Sequence, residues 1–257
     1  MRVAYKRKLR KLTSGFFNSL TDFALFTVSI MSYGSRGRDP IQSISKSIHI
    51  VKLTNPKSLK RAIYSAKYKG YLEKKKDYFK ITELGLKRLQ KNLPTYEKVR
   101  PWDGVLYLIT YDIPETKRKY RDYLRAYLTK LGCGLLQQSV WITPYNPKKL
   151  IVNFIKESSL YGLILVSELR EGSSIGGKDI REVLEQIYKL KELNEKYRNF
   201  VNKVEKGKLK GLALILEYLS VLKNDSQLPF ELMADNYWGE DAYNIYKKEI
   251  ISFKKSF

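Results

Sequence analysis

Five side chains suited to a polyanion recur at intervals of three and four in one short segment: Lys57, Lys60, Arg61, Tyr64 and Lys67. On a helix that spacing places them along one side, with Ser58 beside them. An arginine and a tyrosine on such a stripe reach base edges in a duplex groove, while the lysines seat on flanking phosphates. Leu59, Ala62, Ile63 and Ala66 fall on the opposite side, so one face docks and the other reaches out. A few residues on, Lys74, Lys75, Lys76 and Asp77 lie between Tyr71-Leu72 and Tyr78-Phe79-Ile81. That is the pattern of a basic hairpin tip, which touches phosphate or the minor groove and positions a protein without reading much sequence. The alternative for both features is a solvated lysine surface on an ordinary small α+β domain.

The elements that must carry these residues are marked locally. Asn55 caps a helix with Pro56 at its first position, and Gly70 closes it. Thr82 begins a following helix, TELGLKRLQKNL, that ends near Pro94. Upstream, a helix runs through Phe16, Leu20, Phe23, Ala24, Thr27, Ile30 and Met31, with Thr13 or Ser14 as its cap and Gly34 as its stop. A shorter helix is expected over Ile41–Ile50. This order, helices then a basic hairpin, is the layout of a winged helix-turn-helix over residues 1–98. The basic start followed by FFNSLTDFALFTVSIM imitates a signal anchor, but Asn18, Ser19, Thr21 and Asp22 interrupt it. It reads as an amphipathic core helix, and no membrane partner is expected.

Charge supports the same division. Residues 1–100 carry 24 Lys+Arg against 6 Asp+Glu, whereas residues 101–257 carry 25 against 20. A single-sign field confined to one domain-sized segment is the footprint of a nucleic-acid reader. The chain has one cysteine, Cys133, and one histidine, His49, within 257 residues. This inventory excludes an intramolecular disulfide framework and makes a zinc site or a Ser/His/Asp triad hard to build, and it suits a reducing cytoplasm. His49 sits in the apolar pattern Ile44, Ile48, Ile50, Val51 and reads as a packed structural histidine.

Pro94, Pro101 and Gly104 break the periodicity, so a boundary is expected near residue 98. Beyond it GVLYLITYD reads as a central strand, Glu115–Leu131 as a helix, LLQQSVWITP as one bent or two short strands, KKLIVNFIKESS as a helix and YGLILVSEL as a last strand. The order β-α-β-β-α-β is a ferredoxin-like unit over residues 99–175. Residues 176–257 are expected to be helical: one long helix through Val183, Ile187, Leu190, Leu193 and Tyr197, a second ended by Asn224, and a third through Tyr243, Ile245, Tyr246 and Ile250. The expected fold class is α+β in three consecutive domains, and Gly172–Gly177 reads as a flexible linker rather than a phosphate loop.

The runs WDGVLYLITYDIPETKRKY and LQQSVWITPYNP and the tail LPFELMADNYWGEDAY, in this order after a winged helix, resemble the phenylacetic-acid operon repressor family, PaaX. The resemblance implies a homodimeric transcriptional repressor that binds operator DNA through its N-terminal domain. It also implies a central domain akin to the small CRISPR adaptation protein, and a helical C-terminal domain for dimerisation and effector response. No cofactor is expected; by the same resemblance an acyl-coenzyme A such as phenylacetyl-coenzyme A is the effector class. The tail departs from the family's proline-containing pattern, with Ala234, Tyr237 and Trp238 after the leucines. The likeness to the adaptation nucleases makes Asp112, at the end of the first central strand, a candidate Mg²⁺ ligand. Asp103 and Glu115 are its possible helpers, and a metal-dependent nuclease is the alternative function. The other reading of Asp112 is a helix N-terminal carboxylate. A third reading, an RNA-binding sheet, would use Tyr107, Tyr111 and Trp141 as stacking platforms.

Overall fold

The structure, a computed structural model, describes residues 17, 19–31, 56–75, 78–158, 162–170, 175, 177–234 and 236–255. The helix expected over Ile41–Ile50, His49, Gly34, Thr13, Ser14, the Asn55 cap, the tip residues Lys76 and Asp77, and most of Gly172–Gly177 lie outside them. Packing divides the chain into two units, each discontinuous in sequence: one gathers the residues up to Tyr96 with Asn194–Asp225 and those from Trp238 onward, the other Glu97–Leu193 with Ser226–Tyr237.

In the first unit α1 spans Leu20–Met31. Ser19, not Thr13 or Ser14, caps it: its hydroxyl accepts from the Asp22 N–H at 3.2 Å and donates to the Asp22 carboxylate at 3.0 Å. Every residue from Asp22 to Val28 is buried, so α1 is enclosed on nearly all sides rather than amphipathic. The physical reason is its neighbours: α2 (Pro56–Tyr68), β2 (Phe79–Ile81), α3 (Glu83–Asn92) and the C-terminal helix α9 (Gly239–Lys255) all pack on it. α2 ends as the sequence requires, with Gly70 at φ +73° and the Gly70 and Tyr71 N–H groups donating to the Lys67 and Ala66 carbonyls. β1 (Leu72–Lys74) and β2 then pair antiparallel, Leu72 opposite Ile81 and Lys74 opposite Phe79.

Helices α7 (Leu190–Glu205), from Asn194 onward, and α8 (Gly211–Leu222) complete this unit with α9. Their contact is largely aromatic: Tyr218 stacks on Tyr246 at 4.3 Å, Tyr96 stacks on Tyr243 at 4.3 Å, and Tyr197 and Phe200 tilt against Tyr218. Buried Tyr197 donates its hydroxyl to Asp225 at 2.9 Å, which satisfies both polar groups away from water.

The second unit holds a four-stranded antiparallel sheet in the order β4-β5-β3-β6, formed by β3 (Leu106–Asp112), β4 (Gly134–Gln137), β5 (Val140–Thr143) and β6 (Leu163–Leu169). With α4 (Arg118–Lys130) after β3 and α5 (Lys148–Ser158) after β5, this is the β-α-β-β-α-β order read from the sequence. Ile109, Tyr111 and Trp141 pack under α4 and α5 with Leu124, Leu128, Ile151 and Phe154. On the other face Leu106 and Ile142 pack with Leu184 of α6 (Ile180–Tyr188) and with Leu232. A strand covered on both faces must be apolar on both, which accounts for the near-continuous run in β3.

The single long helix expected after residue 178 is instead two, α6 and α7, broken at Lys189, which adopts a left-handed φ of 53°. Tyr188 pins α6 to the sheet: its hydroxyl accepts from the Gly134 N–H at 2.9 Å and lies 2.8 Å from the Ile142 carbonyl and 3.1 Å from that of Gly132. A helix periodicity passes straight through such a break, because a single left-handed residue barely alters the apolar spacing.

Candidate nucleic-acid interface

The docking side of α2 is sealed. Leu59, Ala62, Ile63 and Ala66 are buried against the rest of the unit. On the opposite side Lys57, Lys60, Arg61 and Lys67 are exposed, Ser58 is half-buried, and no acidic residue interrupts the helix. Tyr64 is 44% exposed and meets the Phe79 ring edge-on at 6.0 Å, which ties the outward stripe of α2 to the root of the hairpin. Lys57, Lys60, Arg61 and Tyr64 line an open groove of about 420 Å³. Four of the residues given reading and phosphate roles are thus brought together on one concave, cationic surface.

The hairpin stands beside α2 in the chain, with the Lys75 N–H donating to the Tyr78 carbonyl at 2.8 Å. Lys74 is exposed at the end of β1. The Lys75 ammonium pairs with Glu73, whose carboxyl it holds below the usual range, and the same contact raises the lysine. Lys80 lies directly across the ladder from Glu73. An exposed ion pair of this kind is worth little, so it yields readily to a phosphate. Lys76 lies outside the described residues.

What supports the hairpin was not legible in local spacing. Asp22 of α1 is fully buried, and the Arg88 guanidinium of α3 reaches it with Nε 2.5 Å from Oδ1. Arg88 also donates to the Tyr71 hydroxyl at 3.3 Å and lies over the Tyr71 ring at 5.0 Å, next to the start of β1. The hydrogen bond to Asp22 raises the arginine further above its already high value. Thr82 adds a second tie, donating to the Gly70 carbonyl at 2.7 Å and accepting from the Gly85 N–H at 3.1 Å, as a cap should. A Cβ at Gly85 would sit 2.3 Å from the Tyr71 carbonyl oxygen, so only glycine permits α3 to approach the hairpin root this closely. Arg88 and Asp22 lie 66 residues apart; the only signals were an aspartate inside an apolar run and an arginine in the helix after the hairpin.

The central carboxylates are spread out. Asp112 is exposed at the end of β3. Asp103 precedes the opposite end of that strand, about 20 Å away by strand rise, so it cannot share an ion with Asp112. It accepts from the Tyr107 hydroxyl at 2.7 Å and from the Val105 N–H, and it pushes the Tyr107 phenol up to about 12. Glu115 pairs with Arg121 at 2.7 Å, which holds its carboxyl below the usual range. Among the described residues no three His, Cys, Asp or Glu side chains assemble into a group able to hold a metal ion. The aromatic platforms are a correction: Tyr107, Tyr111 and Trp141 are buried at 3%, 7% and 5% exposure, so no base can stack on them.

Comparison with known proteins adds the following. The family model described as the PaaX protein central Cas2-like domain matches residues 99–183. Among solved structures the chain is similar to the uncharacterized protein Rv0674 from Mycobacterium tuberculosis, with a TM-score of 0.63 and 14% identity over 93% of this chain and 98% of that one. No curated protein matches the chain. No helix among the described residues is long and apolar enough to cross a membrane.

Proposed function

We propose that this chain, whose residues 99–183 match the PaaX central Cas2-like domain, is a double-stranded DNA-binding transcriptional regulator of the repressor type. The observation that carries this reading is the outward face of α2, where Lys57, Lys60, Arg61, Tyr64 and Lys67 stand opposite a sealed apolar face with no acidic residue among them. A duplex major groove about 12 Å wide admits one such helix. In this reading residues 1–98 act as a winged helix, α2 reads bases, Ser58 and the lysines of α2 and of the hairpin (Lys74, Lys75, Lys76) contact the backbone, and Arg88 holds the hairpin in place. The regulator acts in the cytoplasm as a homodimer on an inverted-repeat site, and residues 99–175 and 176–257 set the spacing of its two reading helices. Its effector is an acyl-coenzyme A, proposed from the family resemblance alone.

The test is an electrophoretic shift with the DNA upstream of the protein's own coding sequence, against random duplex, at two salt concentrations, with Mg²⁺ in a parallel lane. A regulator retards the upstream fragment alone, leaves it intact and keeps the difference at the higher salt. Equal retardation of all duplexes refutes sequence-specific reading. Cleavage in the Mg²⁺ lane that is lost in Asp112→Ala replaces the regulator with a nuclease.

A further inference from the structure

The outward stripe of α2 does not end at Lys67. Tyr68, the last residue of the helix, is 93% exposed, more than any other large apolar side chain among the described residues. Its side chain makes no hydrogen bond or ring contact with a described residue, unlike Tyr64, whose ring rests on Phe79. Leaving an aromatic ring in water forgoes the burial that drives association, so a ring held out on a rigid helix gains most where a partner covers it. Its neighbours Lys67 and Lys69 are both exposed, which makes that partner anionic.

Direction narrows the partner. Tyr68 follows Arg61 by seven residues, about two helical turns, so the two side chains leave α2 within roughly 20° of each other. Over the same interval the helix rises about 10 Å, the length of about three base pairs. A groove that receives Arg61 on its floor therefore receives the Tyr68 ring on the same floor about three steps on. The one apolar group that base edges present in the major groove is the 5-methyl of thymine. Resting on the DNA-binding reading above, we propose that Tyr68 reads a thymine methyl about three base pairs from the base addressed by Arg61, with Lys67 and Lys69 on the phosphates beside it.

The experiment crosses a protein change with a one-methyl DNA change. The wild type, Tyr68→Ala and Tyr68→Phe are titrated by fluorescence anisotropy against the retarded upstream fragment and against copies in which one thymine at a time is replaced by deoxyuridine. Tyr68→Ala is expected to bind about 5- to 30-fold more weakly, the lower part of the range for losing an aromatic contact to a base. One deoxyuridine should weaken the wild type about 3- to 5-fold, the value of one buried methyl, and leave Tyr68→Ala unaffected. Tyr68→Phe should behave as wild type. Because the side chain is so exposed, Tyr68→Ala should melt at the wild-type temperature, so a weaker complex reports contact rather than folding. Unchanged affinity in Tyr68→Ala, the same deoxyuridine penalty in both proteins, or a Tyr68→Phe as weak as Tyr68→Ala each overturns the inference while DNA binding stands. Failure of the wild type to retard any duplex removes the DNA-binding reading, and this inference with it.

Discussion

Arg88 and Asp22 make the sharpest test of how the hairpin is held. Asp22 is fully buried, and its described partners are Ser19, the residue that caps α1, and Arg88 from α3. Arg88→Met keeps an aliphatic stem over the Tyr71 ring and removes the charge, so the carboxylate is left uncompensated in a desolvated site. Removing one partner of a fully buried pair costs about 3–5 kcal/mol. The Arg88 side chain is 34% exposed, and solvent screening brings the expected loss down to about 2–3 kcal/mol. Asp22→Asn alone lets the arginine turn to water and should cost less. In the double variant the neutral amide no longer needs the guanidinium, so the two losses should not add; a coupling of about 1–2 kcal/mol is expected. Urea denaturation followed by circular dichroism gives the energies. Hydrogen exchange of the α1 and α3 amides assigns the loss to the first unit, since two units need not unfold together. Additive single losses, or an Arg88→Met within about 0.5 kcal/mol of wild type, would show that the pair does not join α1 to α3 energetically.

Other expectations concern reading, the sheet and pH. Arg61→Ala or Tyr64→Ala should weaken the specific complex selectively, whereas Lys75→Ala should lower affinity for all duplexes and reduce the salt slope by about 1; equal losses for both classes would mean α2 does not read bases. Tyr188→Phe leaves the Gly134 N–H without its acceptor and should cost about 1–3 kcal/mol in urea titrations, while Gly134→Ala drives a Cβ to 2.3 Å from Ile187 and should cost a similar amount. Burial pushes the Cys133 thiol up to about 12. The folded protein therefore holds that proton where the unfolded chain has lost it. The stabilisation is complete below about pH 8.5 and falls by at most about 1.4 kcal/mol per unit as pH rises toward the folded value. Cys133→Ala should flatten the alkaline fall in stability between pH 8 and pH 11, and the native thiol should resist a disulfide reagent at pH 8 until the protein unfolds; prompt reaction would refute the burial argument.

What the sequence determined by itself is whatever depends on neighbours a few residues apart. The two faces of α2, its stop at Gly70, the Thr82 cap and the alternation that makes the β1–β2 hairpin and the four central strands are all short-range patterns, and the structure carries each of them. The cationic stripe was readable for the same reason, since helical spacing alone places Lys57, Lys60, Arg61 and Tyr64 together. What only the tertiary structure decided involves residues far apart in the chain. The periodicity of α1 suggested one wet face, but helices from both ends of the sequence cover it. The periodicity of residues 180–205 suggested one helix, but the Tyr188 hydroxyl fixes α6 on a sheet more than forty residues earlier and Lys189 turns the chain. Tyr107, Tyr111 and Trp141 alternate as an exposed platform would, yet all three are buried, Tyr111 and Trp141 in the core beneath α4 and α5. Asp22 and Arg88 became a pair because folding brought an aspartate in an apolar run to a guanidinium 66 residues away. No local pattern encodes that meeting, because a buried charge is tolerated only after the fold has supplied its partner.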